Sequence, residues 1–154
     1  MKKVIGIRVT PVKIFYTVIE EGEQQQISYF NEILMVPKAL DVPRQLSYIR
    51  TALFSLVCEH NITQAGIRTA EGTANLNIFR LYMEGVIQEL FSNSTVENYF
   101  AGTLASMAAR LESTSTKLKE CYKGQTNIFG IPDWNAMKEN HRESFLAALA
   151  ALRS

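Results

Sequence analysis

The sequence predicts an α/β fold built on a five-stranded mixed sheet flanked by helices. Three observations carry that expectation: three β-branched runs open the chain, short apolar runs then alternate with segments of helical periodicity, and the apolar content suffices for a core. With 154 residues, 47% of them hydrophobic, the chain reads as one domain spanning residues 1–154.

The first β-branched run goes from Lys3 to Val9, Pro11 interrupts it, and a second goes from Val12 to Ile19. Glu20 to Gln25 breaks the pattern with charge and Gly22, and a third run passes through Ile27, Tyr29 and Ile33 to Val36. Together these predict a three-stranded antiparallel meander. Its acidic tip reads as solvated, because flexible glutamates on a turn hold no fixed ligand geometry.

Asp41-Val42-Pro43 offers an N-cap followed by a proline, and Leu46, Ile49, Leu53, Leu56 and Val57 recur at helical spacing, so a helix is expected to end near His60-Asn61. Gln64 to Ala70 reads as a fourth strand that delivers Glu71-Gly72 at its end. Leu76, Phe79, Met83, Val86, Ile87 and Leu90 form the stripe of a second helix. Val96 to Phe100 is the fifth strand, and Leu104, Met107, Ala108 and Leu111 mark a short helix after it. Glu112 to Gly130 is polar and irregular, and a mobile loop is expected there. Pro132-Asp133 opens the last helical region, with Asp133 as an N-cap and Phe145, Leu146, Leu149 and Leu152 packing on the sheet.

Charge bounds the partners. Charged residues nearly cancel to a net +1, so the whole-molecule field cannot gather a polyanion and any such site must be local. The middle third, Thr51 to Phe100, carries two basic residues, Arg68 and Arg80, against five glutamates, which leaves the two ends mildly basic. Cys58 and Cys121 have neither a CxxC partner nor a histidine at ligand spacing, and read as ordinary thiols of a cytoplasmic protein. The amino terminus enters a strand at once, with no signal-like segment, and no apolar stretch is long enough to span a membrane. There is no Gly-x-Ser-x-Gly elbow, and Gly124 and Gly130 lack the spacing of a phosphate-binding loop.

Three segments carry a family resemblance. Lys3-Val4-Ile5-Gly6-Ile7-Arg8-Val9 is similar to the first strand of RuvC-type resolvases, roughly Ile-Leu-Gly-Ile-Asp-Pro-Gly, with Arg8 at the place of the first metal-binding acid. Ala65-Gly66-Ile67-Arg68-Thr69-Ala70-Glu71-Gly72 resembles that family's fourth strand, which ends in a glutamate and leads into a helix. His141 to Leu149 resembles its last helix, where His141 and Ser144 fall at the acid positions and Glu143 lies one place out of register. The order of elements is also that of ribonuclease H-like domains. The resemblance extends to small bacterial RuvC-like domains of unassigned function, so it implies the fold more than an activity.

The resemblance implies a former metal site at Arg8, Glu71, His141 and Ser144. Two-metal phosphodiester hydrolysis needs converging carboxylates, and an arginine in place of the bridging acid repels a divalent ion. Arg8 and Glu71 are expected to pair and fill the site. Simpler readings stand beside these: Glu71 as an acid stabilising the following helix, His141 as a solvent-facing or capping residue, and His60 as a histidine that interacts favourably with the dipole at a helix end.

Three functions follow. The leading one is a degenerate RuvC-like domain that binds nucleic acid or works in a nucleic-acid-processing assembly, with no cofactor. Its contacts would come from Arg110, Lys117, Lys119, Tyr122 and Lys123, a group that also fits a solvated loop. The second is a protein-interaction or structural subunit, a homodimer or complex component, joined through exposed apolar positions on the helices Leu46 to Val57 and Leu76 to Leu90. The third is a nuclease using Mg²⁺ or Mn²⁺ with the irregular set Glu71, Glu143 and Asp133.

Overall fold

The computed structural model describes residues 1–72 and 76–153. Strands β1 (Lys2–Val9), β2 (Lys13–Glu21) and β3 (Ile27–Met35) form the antiparallel meander. Helix α1 (Val42–Glu59) leads to β4 (Gln64–Arg68), and α2 (Ile78–Ser92) to β5 (Asn98–Gly102), both strands running parallel to β1. Helices α3 (Leu104–Arg110), α4 (Ser115–Tyr122) and α5 (Glu139–Leu152) complete the chain. The sheet order is β3-β2-β1-β4-β5, which puts β1 and β4 in the middle. No helix among the described residues is long and apolar enough to cross a membrane.

Period-two alternation along β1 divides the core. Ile5, Ile7 and Val9 face one side with Ile67 of β4 and with Ile49, Leu53, Val57, Met83 and Ile87, the inner faces of α1 and α2. Val4 belongs to the other side, with Phe145, Leu146, Leu149, Met107 and Leu118 of α5, α3 and α4. Gly6 and Gly66 are register partners on the α5 side. A Cβ on Gly6 would overlap the Ser144 carbonyl oxygen and Ala148 N, and one on Gly66 the Ala147 carbonyl oxygen, so both glycines exist to let α5 lie on the strands.

Several expectations are corrected. The segment Glu112 to Gly130 is not a loop throughout: α4 occupies its middle, capped by Thr114, whose Oγ1 accepts the Lys117 N–H at 3.2 Å. Leu118, Cys121 and Tyr122 sit at three- and four-residue spacing and are buried, a stripe too short to stand out among Ser, Thr and Lys. Asp133 is no side-chain N-cap; it adopts a left-handed φ of 60° ahead of a short 3₁₀ turn, and α5 begins six residues later. Arg142 fastens this region by donating to the carbonyls of Tyr122, Trp134 and Met137 at 2.7, 3.2 and 2.6 Å. The fifth strand starts two residues later than expected, at Asn98.

Candidate functional site

The parallel pairing of β1 with β4 places Arg8 beside Arg68 at the carboxyl ends of both strands. α5 crosses the same end of the sheet and brings Glu143 between them. Arg8 Nε lies 3.2 Å from Glu143 Oε2, and Arg68 Nε lies 3.9 Å from Glu143 Oε1. Arg8 also donates to the carbonyl oxygens of Arg68 and Thr69 at 3.2 and 3.4 Å, while Arg68 Nη1 donates to Thr69 O. One carboxylate thus serves two guanidinium groups, and the backbone leaving β4 takes up several of their remaining donors.

A second pair completes the cluster. Glu84, buried on α2, accepts the Ala70 N–H with both oxygens at 2.9 and 3.2 Å, and lies 3.3 Å from Arg80 Nε one helical turn earlier. Burial, followed by the charge of Arg8, holds both Arg68 and Arg80 below the usual guanidinium range. Burial pushes Glu143 above the usual carboxylate range against the opposing pull of Arg8 and Arg68.

The expected Arg8–Glu71 pair does not form. Glu71 stands 3.6 Å from Arg68 Nη2 with its side chain 42% exposed, while Arg8 is taken by Glu143. The apparent one-place offset of Glu143 is what aims it at the ends of β1 and β4, because Ser144 and His141 face β2 and β3 instead. Ser144 Oγ lies 2.6 Å from Thr17 Oγ1 and 2.9 Å from the His141 carbonyl oxygen. His141 is neither solvent-facing nor a cap: it is 8% exposed, its Nε2 lies 2.9 Å from the Glu32 carbonyl oxygen, and its ring meets Phe15 edge-on. Glu71 is also not in the first turn of α2, which begins at Ile78 under an Asn77 cap. His60 does end α1, and its ring packs against Phe30.

Asp133 belongs to another part of the surface. It acts electrostatically on Tyr29, whose hydroxyl donates to Pro132 O, and the register carries Tyr29 through Ile19 to Val4, about 13 Å along β1 from Arg8 at the usual strand rise. Glu71, Glu143 and Asp133 therefore do not converge. Among the described residues, no three His, Cys, Asp or Glu side chains are grouped to hold a metal ion. A divalent cation does not fit the pole, whose two buried carboxylates already face guanidinium groups.

The basic candidates divide. Lys117 and Lys119 are exposed on α4, and Lys123 pairs with Glu139 at 3.4 Å. The Arg110 guanidinium lies over the Phe100 ring, 5.1 Å from its centroid. Tyr122 is 8% exposed, so its ring is core and not a stacking platform for a base. Its hydroxyl nevertheless feels Glu143 and Arg68, which puts the end of α4 next to the arginine cluster. Arg68, Arg80 and Glu84 were not among the sequence candidates. Two isolated arginines in an otherwise acidic third, one of them four residues before a glutamate, are the signal that marks them.

The fold has relatives among solved structures. Thermus thermophilus RuvC superposes with a TM-score of 0.70 over 98% of this chain and 93% of that one, at 10% identity. This is a RuvC-like, ribonuclease H-like fold. The same RuvC in complex with Holliday junction substrate gives 0.68 at 11% identity over 98% of this chain and 93% of that one. The yeast mitochondrial Holliday junction resolvase gives 0.61 at 15% identity over 99% of this chain and 79% of that one. No family model and no curated protein matches the sequence. In this RuvC-like fold the arginine cluster occupies the end of the sheet where the sequence resemblance places the former metal site.

Proposed function

We propose that this chain is a RuvC-like domain that binds nucleic acid, or works within a nucleic-acid-processing assembly, without two-metal nuclease activity. The observation that carries this reading is the Arg8–Glu143–Arg68 arrangement: a permanent cation stands at the first-strand position, and the nearest carboxylate neutralises cations of the protein itself. The nucleic-acid part is supported by the fold shared with a RuvC seen in complex with Holliday junction substrate, and by the exposed cations Lys117 and Lys119 on α4, the helix whose last residue, Tyr122, lies near Arg68 and Glu143. The free thiols of Cys58 and Cys121 suit a cytoplasmic setting.

The test is equilibrium binding of a labelled four-way DNA junction and a labelled duplex over a series of salt concentrations. Binding that weakens steeply with salt, and loses slope when Lys117 and Lys119 are changed to glutamine, supports the reading. Absence of binding to DNA and to matched RNA at low salt contradicts it.

A second reading has its own observation. Leu46 and Arg50 of α1 and Leu81, Tyr82 and Val86 of α2 line a shallow apolar groove crossed by the Arg50–Glu89 ion pair, and Tyr48, Phe54 and Ile78 are further exposed apolar side chains of the two helices. Such a patch suits a second copy or another protein subunit. Light scattering on the purified chain and on Leu81→Glu distinguishes a dimer held through this face from a monomer.

A further inference from the structure

The arginine cluster has more positive charge than its buried acids can answer. Arg8, Arg68 and Arg80 stand against two buried carboxylates, Glu143 and Glu84, and Glu84 is also committed to the Ala70 N–H. The third acid, Glu71, is solvent-exposed over much of its side chain, and at 3.6 Å from Arg68 Nη2 it is beyond hydrogen-bond length. Donors remain unused among the described residues. Arg80 Nη2 is buried with no acceptor, and Arg68 Nε and Arg80 Nε, although 3.9 and 3.3 Å from Glu143 and Glu84, make no hydrogen bond to them. A buried guanidinium donor without an acceptor is costly, and the shape that satisfies several such donors at once is a tetrahedral oxyanion.

We infer that Arg68 and Arg80 form a phosphate-binding site, in which one phosphate group displaces the Glu71 carboxylate and takes up the unused guanidinium donors. Its place in the fold is the carboxyl end of the central parallel strands. There a substrate phosphate would be held by fixed cations of the protein itself. Burial and the charge of Arg8 make the two guanidinium groups costly to keep charged, and an arriving anion relieves that cost. The inference rests on the nucleic-acid reading for its source of phosphate, a backbone phosphodiester; free inorganic phosphate offers the same chemistry.

The sign of the Glu71 effect is diagnostic. If Glu71 competes with a bound phosphate, Glu71→Gln strengthens anion binding; if it were a ligand for a cation, the same change would have no such effect. Calorimetric titration with inorganic phosphate, and anisotropy with the labelled junction and duplex, are to be run on the wild type, Glu71→Gln, Arg80→Gln and Arg80→Lys. Arg80→Lys keeps the charge facing Glu84 and removes only the planar fork, so it separates a lost site from a lost fold. Expected are phosphate affinity raised about threefold or more by Glu71→Gln and lowered about tenfold by Arg80→Gln, with Arg80→Lys between, and a salt slope for duplex binding reduced by about one in Arg80→Gln. Phosphate affinity that is unchanged in all three variants, or weakened by Glu71→Gln, overturns the site. Phosphate binding with the expected signs but no binding of nucleic acid keeps the site and removes the nucleic-acid reading. DNA binding indifferent to all three substitutions, with no phosphate bound, does the reverse.

Discussion

Arg8 Nε lies 3.2 Å from Glu143 Oε2, an ion pair between the first strand and the last helix that joins residues 135 positions apart in the chain. It closes the carboxyl end of the central strands and ties α5 to the sheet there. The same carboxylate reaches toward Arg68, so the pole is a shared network and not an isolated bridge.

Removing Arg8 tests the network's weight in the fold. Arg8→Met leaves Glu143 buried with only the more distant Arg68, and deprives the Arg68 and Thr69 carbonyls of a donor. Chemical denaturation is expected to show a loss of roughly 2–4 kcal/mol, in the range for breaking one side of a largely buried ion pair.

The pH dependence follows from Glu143. Its folded-state pKa is raised, chiefly by burial, so the folded protein binds this proton more readily than the unfolded chain. Its contribution to stability is fully present below the ordinary carboxylate range and is lost as pH rises through its raised value. Stability curves of the wild type and Glu143→Gln, measured across mildly acidic pH, are expected to converge toward the acid side and separate toward neutrality in favour of the glutamine variant. The penalty of Arg8→Met should shrink as pH falls through the same window, because a protonated Glu143 no longer needs a cation.

Glu84 holds the exit of β4 through the Ala70 N–H and neutralises Arg80. Glu84→Ala leaves a cation with no counter-ion and an amide with no acceptor. A loss of about 3 kcal/mol is expected by denaturation, with faster hydrogen exchange at Ala70; an unchanged exchange rate at that amide would contradict the assignment.

Close packing of α5 on the strands gives a prediction independent of charge. Gly66→Ala places a methyl group against the Ala147 carbonyl, where backbone and not a flexible side chain must move. Destabilisation of about 2–3 kcal/mol is expected, while Gly85→Ala, whose added methyl meets open space on α2, should be neutral or slightly stabilising.

The meander, α1 and the alternation that follows were legible because β-branched runs and the Leu46-to-Val57 stripe obey clear periods. Arg8 was legible as a cation at the end of the first strand. Its partner was not, because which side of α5 faces the strands cannot be read from a helix buried on all sides: His141 through Leu152 are all covered, so polar residues there carry no outward face to mark the rotation. Glu71 looked closer to Arg8 than Glu143 did because adjacency in a sheet is easier to infer than a contact with a crossing helix. α4 was missed for a related reason, since its three buried side chains are outnumbered by polar ones.

The proposal that an arginine–glutamate network stands where a two-metal nuclease of this fold would hold its ions is tested by incubating labelled four-way junction and duplex DNA with the purified chain in Mg²⁺ or Mn²⁺ and resolving the strands under denaturing conditions. The strands are expected to remain intact at concentrations where the DNA is bound. Metal-dependent nicking that disappears in Glu71→Gln or Glu143→Gln would contradict the claim.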